Sequence, residues 1–233
     1  MPSDSKVVLI TGASSGLGLA TTLYLAAKGC TVIGTSRSRE RLVDIEQQAA
    51  AKNLAITTVV LDVNSDEGVA AVVPGLLEKF GRIDVLVNNA GYGLWGPLQT
   101  LTSDEVRAQF ETNLLGPFRM ANAVLPAMVE RRSGTIINVS SVAGRVPTPF
   151  NGAYSASKAA LEGMSESLYM EMRPFGVRVA IIEPGVFKSE FHANQKKSDK
   201  GSESGSRYKD TITAYHRKHD RILGFSHDPV GVA

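Results

Sequence analysis

The sequence predicts a doubly wound α/β fold, a parallel sheet with helices on both faces, formed as a single domain over residues 1–233. Three observations lead there. Apolar runs of strand length alternate with longer segments of helical periodicity along most of the chain. A glycine-rich turn, TGASSGLG at residues 11–18, separates the first run from the first helical segment. The strand runs are apolar at successive positions rather than alternate ones, as strands between two helix layers must be.

Taken in order, residues 7–10 (VVLI) read as the first strand. Residues 17–28 carry an apolar stripe at Leu19, Ala20, Leu23, Ala26 and Ala27, with Gly29 where a helix C-cap would sit. Strand, helix, strand, helix and strand follow at 31–35, 39–52, 56–61, 66–80 and 83–87. Thr102-Ser103-Asp104-Glu105 places a hydroxyl three residues before a carboxylate, a capping box that opens a long helical stretch to residue 131. Pro117 and Pro126 lie inside that stretch, so a kink or break is expected at them. A fifth strand at 135–139, a helix at 154–172 closed by Pro174, and a sixth strand at 177–182 complete the regular pattern. Residues 196–207 (KKSDKGSESGSR) have almost nothing to bury and are expected to be a mobile part of a substrate loop at about 185–226.

Composition removes several classes of function. Lys plus Arg is 25 and Asp plus Glu 23, a net charge of 25 − 23 = +2, which gives no nucleic-acid footprint. Cys30 is the sole cysteine, so no intrachain disulfide and no cysteine-rich metal site can form, and a reducing, cytoplasmic location is the expectation. No apolar run approaches the roughly 20 residues of a membrane helix. Residues 1–10, with Asp4 and a four-residue apolar run, do not read as a signal peptide. His192, His216, His219 and His227 all fall in the tail and are given no metal or catalytic role.

A strand, a glycine turn and a helix N-terminus make a phosphate site, because free backbone N–H groups and the helix dipole face the anion while glycines let the backbone approach it. Tyr154 and Lys158 stand four apart and share a helix face. A phenol of ordinary pKa near 10 transfers protons poorly at neutral pH; an adjacent ammonium would lower that value and make it a usable acid or base. Ser141, at the end of the fifth strand, can hydrogen-bond a carbonyl oxygen that becomes an alkoxide.

The spacing TGxxxGxG at residues 11–18, together with Asn88-Asn89-Ala90-Gly91, Asn113, Ser141, Tyr154-Ser155-Ala156-Ser157-Lys158 and Pro184-Gly185, resembles the short-chain dehydrogenase/reductase family over residues 7–191. The resemblance implies a Rossmann-like fold and catalysis by Asn113, Ser141, Tyr154 and Lys158, with the lysine also holding the nicotinamide ribose and the asparagine ordering a relay water. It places the cofactor against Thr11, Gly12, Ser14, Ser15, Gly16, Leu17 and Gly18, then Asp62 and Val63 at the adenine, Asn89, Ala90 and Gly91, and Pro184, Gly185, Val186 and Ser189. Ser140 competes with Ser141, and the family spacing to the tyrosine selects Ser141. At the end of the second strand, an acidic residue selects NAD and an arginine accommodates the extra phosphate of NADP. Ser36 and Arg37 stand there with no carboxylate before Glu40, which favours NADP(H) over NAD(H), although Arg39 and Arg41 follow closely and a plain surface arginine is the alternative.

Within the family, residues 91–98 (GYGLWGPL) and 149–163 resemble the branch of 17-beta-hydroxysteroid and retinol dehydrogenases. Leu94, Trp95, Val146, Phe150, Val186 and Phe187 would then wall a site for an apolar alcohol, ketone or aldehyde, completed by Ser141 and Tyr154. The expected activity is hydride transfer between NADP(H) and such a substrate. The rivals are a catalytically silent nucleotide-binding regulator or scaffold, whose usual sign is a lost tyrosine or lysine, and an isomerase or epimerase of the extended relatives, whose glycine fingerprint is absent. Family members pair the helices of Asn113 and Tyr154, so a homodimer or homotetramer is expected, with Ala159, Met164, Leu168 and Met172 as candidate surface, although the first three could equally face the sheet. Relatives continue past the sixth strand with a helix and a seventh strand. Asp228-Pro229 reads as the start of that helix with only four residues after it, so a shortened form with an uncovered sixth strand is expected.

Overall fold

The computed structural model describes residues 5–185, 195–198 and 207–215. In chain order the elements are β1 (Val7–Ile10), α1 (Gly16–Ala27), β2 (Thr31–Ser36), α2 (Arg39–Ala51), β3 (Ile56–Val60), α3 (Asp66–Phe80), β4 (Val85–Asn88) and β5 (Leu94–Trp95). Then come α4 (Ser103–Phe110), α5 (Gly116–Glu130), β6 (Gly134–Val139), α6 (Val142–Arg145), α7 (Gly152–Met172), β7 (Val177–Ile182) and β8 (Lys196–Lys197). Six strands form one parallel sheet in the order β3-β2-β1-β4-β6-β7. The order in which strands are added therefore reverses between β1 and β4, which run parallel, and ligands of open α/β sheets bind at the carboxyl ends of the strands beside such a switch point.

Strand β1 shows why the expected two-sided burial holds at the centre. Val7 and Leu9 belong to the cluster packed by α3 and α5 through Val73, Leu76, Met120, Val124 and Met128, whereas Val8 and Ile10 join Leu42 and Ile45 of α2 on the other face. Period-two alternation thus feeds both layers from one continuous apolar run. At β7 the expectation fails. Val177 and Val179 are buried while Arg178 and Ala180 are exposed among the described residues, the one-faced pattern of an edge strand. Residues 216–233, where a closing helix start was read, lie outside the described residues.

Three further expectations are corrected. The helical stretch from 102 to 131 loses its α-helical ladder in the turn just ahead of Pro117 and continues unbroken through Pro126. It opens on the capping box, with Glu105 N donating to Thr102 Oγ1 at 3.2 Å, and widens into a π turn at Glu111–Leu115 before α5 restarts. Pro117 falls in the first turn of α5, where its missing N–H is no loss, and Pro126 is carried inside that helix. The supposed mobile stretch begins with an ordered pair: Lys196 and Lys197 align parallel to Leu94 and Trp95, and Lys196 N donates to Gly93 O at 2.9 Å. Met172 packs against the sheet cluster rather than facing outward and Leu168 takes its sheet-facing alternative, whereas Ala159 and Met170 are exposed on α7.

Candidate active site

A cavity of about 740 Å³ opens along the carboxyl ends of the strands. One end is built from main chain. Thr11 Oγ1 accepts from the backbone N–H of Asn89 and of Ala90, each at 3.0 Å, and Asn89 Nδ2 donates to Thr11 O and Gly12 O, each at 3.0 Å. These bonds lash the glycine turn to the loop after β4. Gly12 has φ +64° and lies so close that an added Cβ would stand 2.7 Å from Ala90 Cα, while one on Gly18 would collide with Gly12 O and Asn89 Nδ2. Thr11 and Gly18 therefore support the wall from behind, and Gly12, Ser14, Ser15, Gly16 and Leu17 line it. Ser15, the N-cap of α1, makes no side-chain capping bond, which leaves first-turn N–H groups to another acceptor.

Next along the cavity come Ser36, Arg37, Asp62 and Val63 as expected, together with Arg41 and Asn64. Asp62 Oδ1 accepts from Asn64 N at 3.0 Å, which fixes this turn. Arg39 is turned to Glu46, with Nη1 at 2.6 Å from Oε1, so among the described residues the arginines that border the cavity are Arg37 and Arg41.

Side chains build the other end. Tyr154 and Lys158 project from α7, Ser141 caps α6 by accepting from Ala143 N at 3.2 Å, and all three line the cavity beside Pro184 and Gly185. Ser140 also reaches the cavity, but its hydroxyl donates to Glu162 Oε1 at 2.6 Å, which separates the two serines as the spacing argument did. Lys158 Nζ donates to Val139 O at 2.7 Å and stands 5.9 Å from the Tyr154 ring centre. Burial pushes the Lys158 pKa down to about 8, with the Glu162 charge opposing. Burial also raises the Tyr154 pKa, opposed by hydrogen bonding with Ser141. The expectation that Lys158 holds Tyr154 below its ordinary value is thus reversed, because desolvation dominates both groups.

Asn113 does not line the cavity. It is fully buried in the π turn, where Nδ2 donates to Tyr92 O and Ser157 Oγ, both at 3.1 Å, and Oδ1 accepts from Tyr92 N at 3.2 Å. Gln109, which sequence reasoning missed, acts alongside it: Nε2 donates to Tyr92 O at 2.8 Å and Oε1 accepts from Leu94 N at 2.7 Å. A fully buried amide was its only signal, and burial is not legible in one sequence.

Of the apolar wall, Trp95 and Val146 line the cavity and Leu94 is buried behind it. Phe150, at φ +66°, turns away to pack on Trp95 and Tyr215, both with ring centres 5.4 Å apart, and borders a neighbouring depression instead. Tyr92, Thr112, Lys196, Lys197 and Tyr215 line the cavity unforeseen. Lys196 Nζ sits 4.8 Å over the Tyr92 ring. Val186, Phe187, Ser189 and the four histidines lie outside the described residues. Among the described residues no His, Cys, Asp and Glu side chains group to hold a metal ion, and no helix is long and apolar enough to cross a membrane.

This arrangement is a candidate active site at the carboxyl ends of a parallel α/β sheet, and the chain belongs to the short chain dehydrogenase family, whose model matches residues 6–200. Members are oxidoreductases that use nicotinamide cofactors on small molecules. The chain is 40% identical over 195 residues to a 3-ketodihydrosphingosine reductase of Bacteroides thetaiotaomicron, covering 83% of this chain and 68% of that protein. It is 41% identical over 195 residues to human retinol dehydrogenase 8, covering 82% and 62%. A solved short-chain dehydrogenase from Streptomyces avermitilis superposes with a TM-score of 0.84 at 38% identity, covering 99% of this chain and 82% of that one. A metagenomic short-chain oxidoreductase in complex with NADP (TM-score 0.73, 38% identity, 78% and 83% covered) and an NAD+-bound xylitol dehydrogenase (0.75, 36%, 78% and 70%) are similar to comparable degrees.

Proposed function

We propose that this chain is an NADP(H)-dependent reductase or dehydrogenase acting on an apolar ketone, aldehyde or alcohol. One observation carries the reading: a single cavity runs from the glycine turn, past Arg37 and Arg41, to Ser141, Tyr154 and Lys158. Its residues fit a dinucleotide, since the tight glycine turn and uncapped start of α1 suit a pyrophosphate and the arginines suit a terminal phosphate. Solved relatives hold either NADP or NAD+, so the family leaves the choice open. The absence of a carboxylate at the end of β2 supports NADP(H).

A bound nicotinamide cofactor supplies the hydride that the carbonyl carbon accepts. Ser141 Oγ donates a hydrogen bond to the carbonyl oxygen, and Tyr154 Oη gives its proton to that oxygen as negative charge develops there. A buried tyrosine with a raised pKa holds its proton at neutral pH, which suits it to be the acid in the reductive direction; in the oxidative direction the proton returns to the same oxygen. Lys158 supports the tyrosine when charged. Asn113 and Gln109 hold the Tyr92 main chain that borders the cavity, a role for Asn113 in place from the π turn without invoking a relay water. Trp95 and Val146 select apolar substrates, in keeping with relatives named for retinol and a sphingoid ketone. The retained Tyr154 and Lys158 disfavour the silent-scaffold reading.

We also infer one domain that self-associates through α5 and α7, on which Phe118 and Met170 are exposed by 48% and 66%. A panel of apolar ketones and alcohols, followed by nicotinamide absorbance with NADPH and with NADH, tests the function. Ketone-dependent oxidation that is faster with NADPH is expected. Binding of NADPH without turnover of any panel member would overturn the assignment.

A further inference from the structure

The reaction just described assigns no part to a carboxylate that lies directly beneath it. Glu162 stands one turn beyond Lys158 on α7 and is 2% exposed. Its Oε1 accepts from Ser140 Oγ at 2.6 Å, and its Oε2 lies 2.6 Å from Arg145 Nε. Ser140 immediately precedes Ser141 at the end of β6, and Arg145 closes the short helix that Ser141 caps. A Cβ on Gly144 would collide with Glu162 Oε1, so the backbone of α6 rests on the carboxylate itself. The chain on both sides of Ser141 is thereby anchored to one buried group.

Its charge is only partly matched by Arg145. Arg145 is shared among three carboxylates, reaching Glu166 Oε1 at 2.9 Å and Glu183 Oε1 at 3.2 Å as well as Glu162. Lys158 is the further cation beside this group, faced by Tyr154 and Glu162 on α7 and by the Val139 carbonyl from β6. Arg145 from α6, Glu166 from α7 and Glu183 after β7 complete the charged groups packed around the pair.

We propose that Glu162 is a positioning residue of the site: it fixes Ser141 through Ser140 and α6, and supplies the negative charge that keeps Lys158 protonated near neutral pH. The proposal rests on the reading of Ser141, Tyr154 and Lys158 as the reacting group. It agrees with the direction in which Glu162 moves the Lys158 pKa, upward against the pull of burial. A buried carboxylate that served packing alone would gain nothing from a charge, since an isosteric amide fills the same space.

The test is the pH dependence of unfolding of the full chain without cofactor, between about pH 7 and 9.5. Folding lowers the Lys158 pKa to about 8, against about 10.4 in an unfolded chain. Above pH 8 the unfolded state therefore binds more protons, and stability rises with pH. Glu162→Gln keeps the shape and the hydrogen bond from Ser140 but removes the charge, so the rise should begin at a lower pH. Arg145→Leu, at a half-exposed side chain, removes a competing cation and should shift the rise the opposite way, which keeps the proposal testable should Glu162→Gln fail to fold. Lys158→Met should abolish the rise, and adding Glu162→Gln to it should then shift nothing. A uniform loss of stability in Glu162→Gln with the rise unmoved, or a shift that persists without Lys158, would overturn the proposal. Because this titration needs no turnover, it is decided separately from the proposed function, which the ketone panel decides.

Discussion

The proposed nucleotide end of the cavity is shaped mainly by main chain and the proposed catalytic end by side chains, and the two are held by different physics. At the first, what matters is where atoms are missing: Gly12 and Gly18 let β1, α1 and the loop after β4 close to contact. At the second, Tyr154, Lys158 and Glu162 lie at 7%, 5% and 2% exposure; burial moves the Tyr154 pKa up and that of Lys158 down, and the Glu162 charge opposes the shift of Lys158. A change at the first end should alter fit and affinity at every pH. One at the second should alter rates and pH dependence.

The largest expected effect on stability comes from a single methyl group at the main-chain end. Gly12→Ala must adopt φ +64° and place its Cβ 2.7 Å from Ala90 Cα. It should cost about 2–4 kcal/mol and lower Tm by roughly 5–15 °C in calorimetry, with NADPH binding weakened at all pH values. Next, Ser36→Asp combined with Arg37→Gln takes a cation from the phosphate and offers the NAD ribose an acceptor. NADPH affinity should fall by about 10- to 100-fold in a titration of nicotinamide fluorescence while NADH affinity rises. If the unmodified protein binds NADH as tightly as NADPH, Arg37 does not have the assigned role.

At the side-chain end, Lys158→Met should leave the Tm of the cofactor-free protein nearly flat between about pH 8 and 9.5, where the unmodified protein gains stability as pH rises through the depressed lysine pKa. A gain of the same size in the variant would mean that another group titrates there. The smallest effect expected is on association: light scattering at micromolar concentration should give a multiple of the monomer mass, and Met170→Asp should reduce it. A monomeric mass for the unmodified protein would remove the interface.

The same division explains what was legible in the sequence. Parallel strands are written as short, mostly apolar runs, so β1, β2, β6 and β7 fall within one residue of expectation, and glycines in a strand-to-helix turn mark the proposed phosphate site. The family spacing placed Ser141, Tyr154 and Lys158 on one cavity. Hidden from sequence were relations made only by folding. The π turn that buries Asn113 has no local marker beyond the Gly116-Pro117 step, Gln109 reads as an ordinary surface amide, and Arg41 and Lys196 reach the cavity from separate segments. The sign of the Tyr154 shift was misjudged for a related reason: spacing gives the partner of a charge, whereas burial decides how strongly that charge is felt, and burial belongs to the tertiary structure.

The most direct measurement of the central claim mixes the NADPH complex of the unmodified protein, and separately of Tyr154→Phe, with an apolar ketone and follows a single turnover. The phenylalanine keeps the ring's packing and removes the hydroxyl. The variant should bind NADPH nearly as tightly, yet oxidise it at least about 10²-fold more slowly. Oxidation at a near-normal rate by Tyr154→Phe would contradict the assignment of Tyr154 as the proton donor.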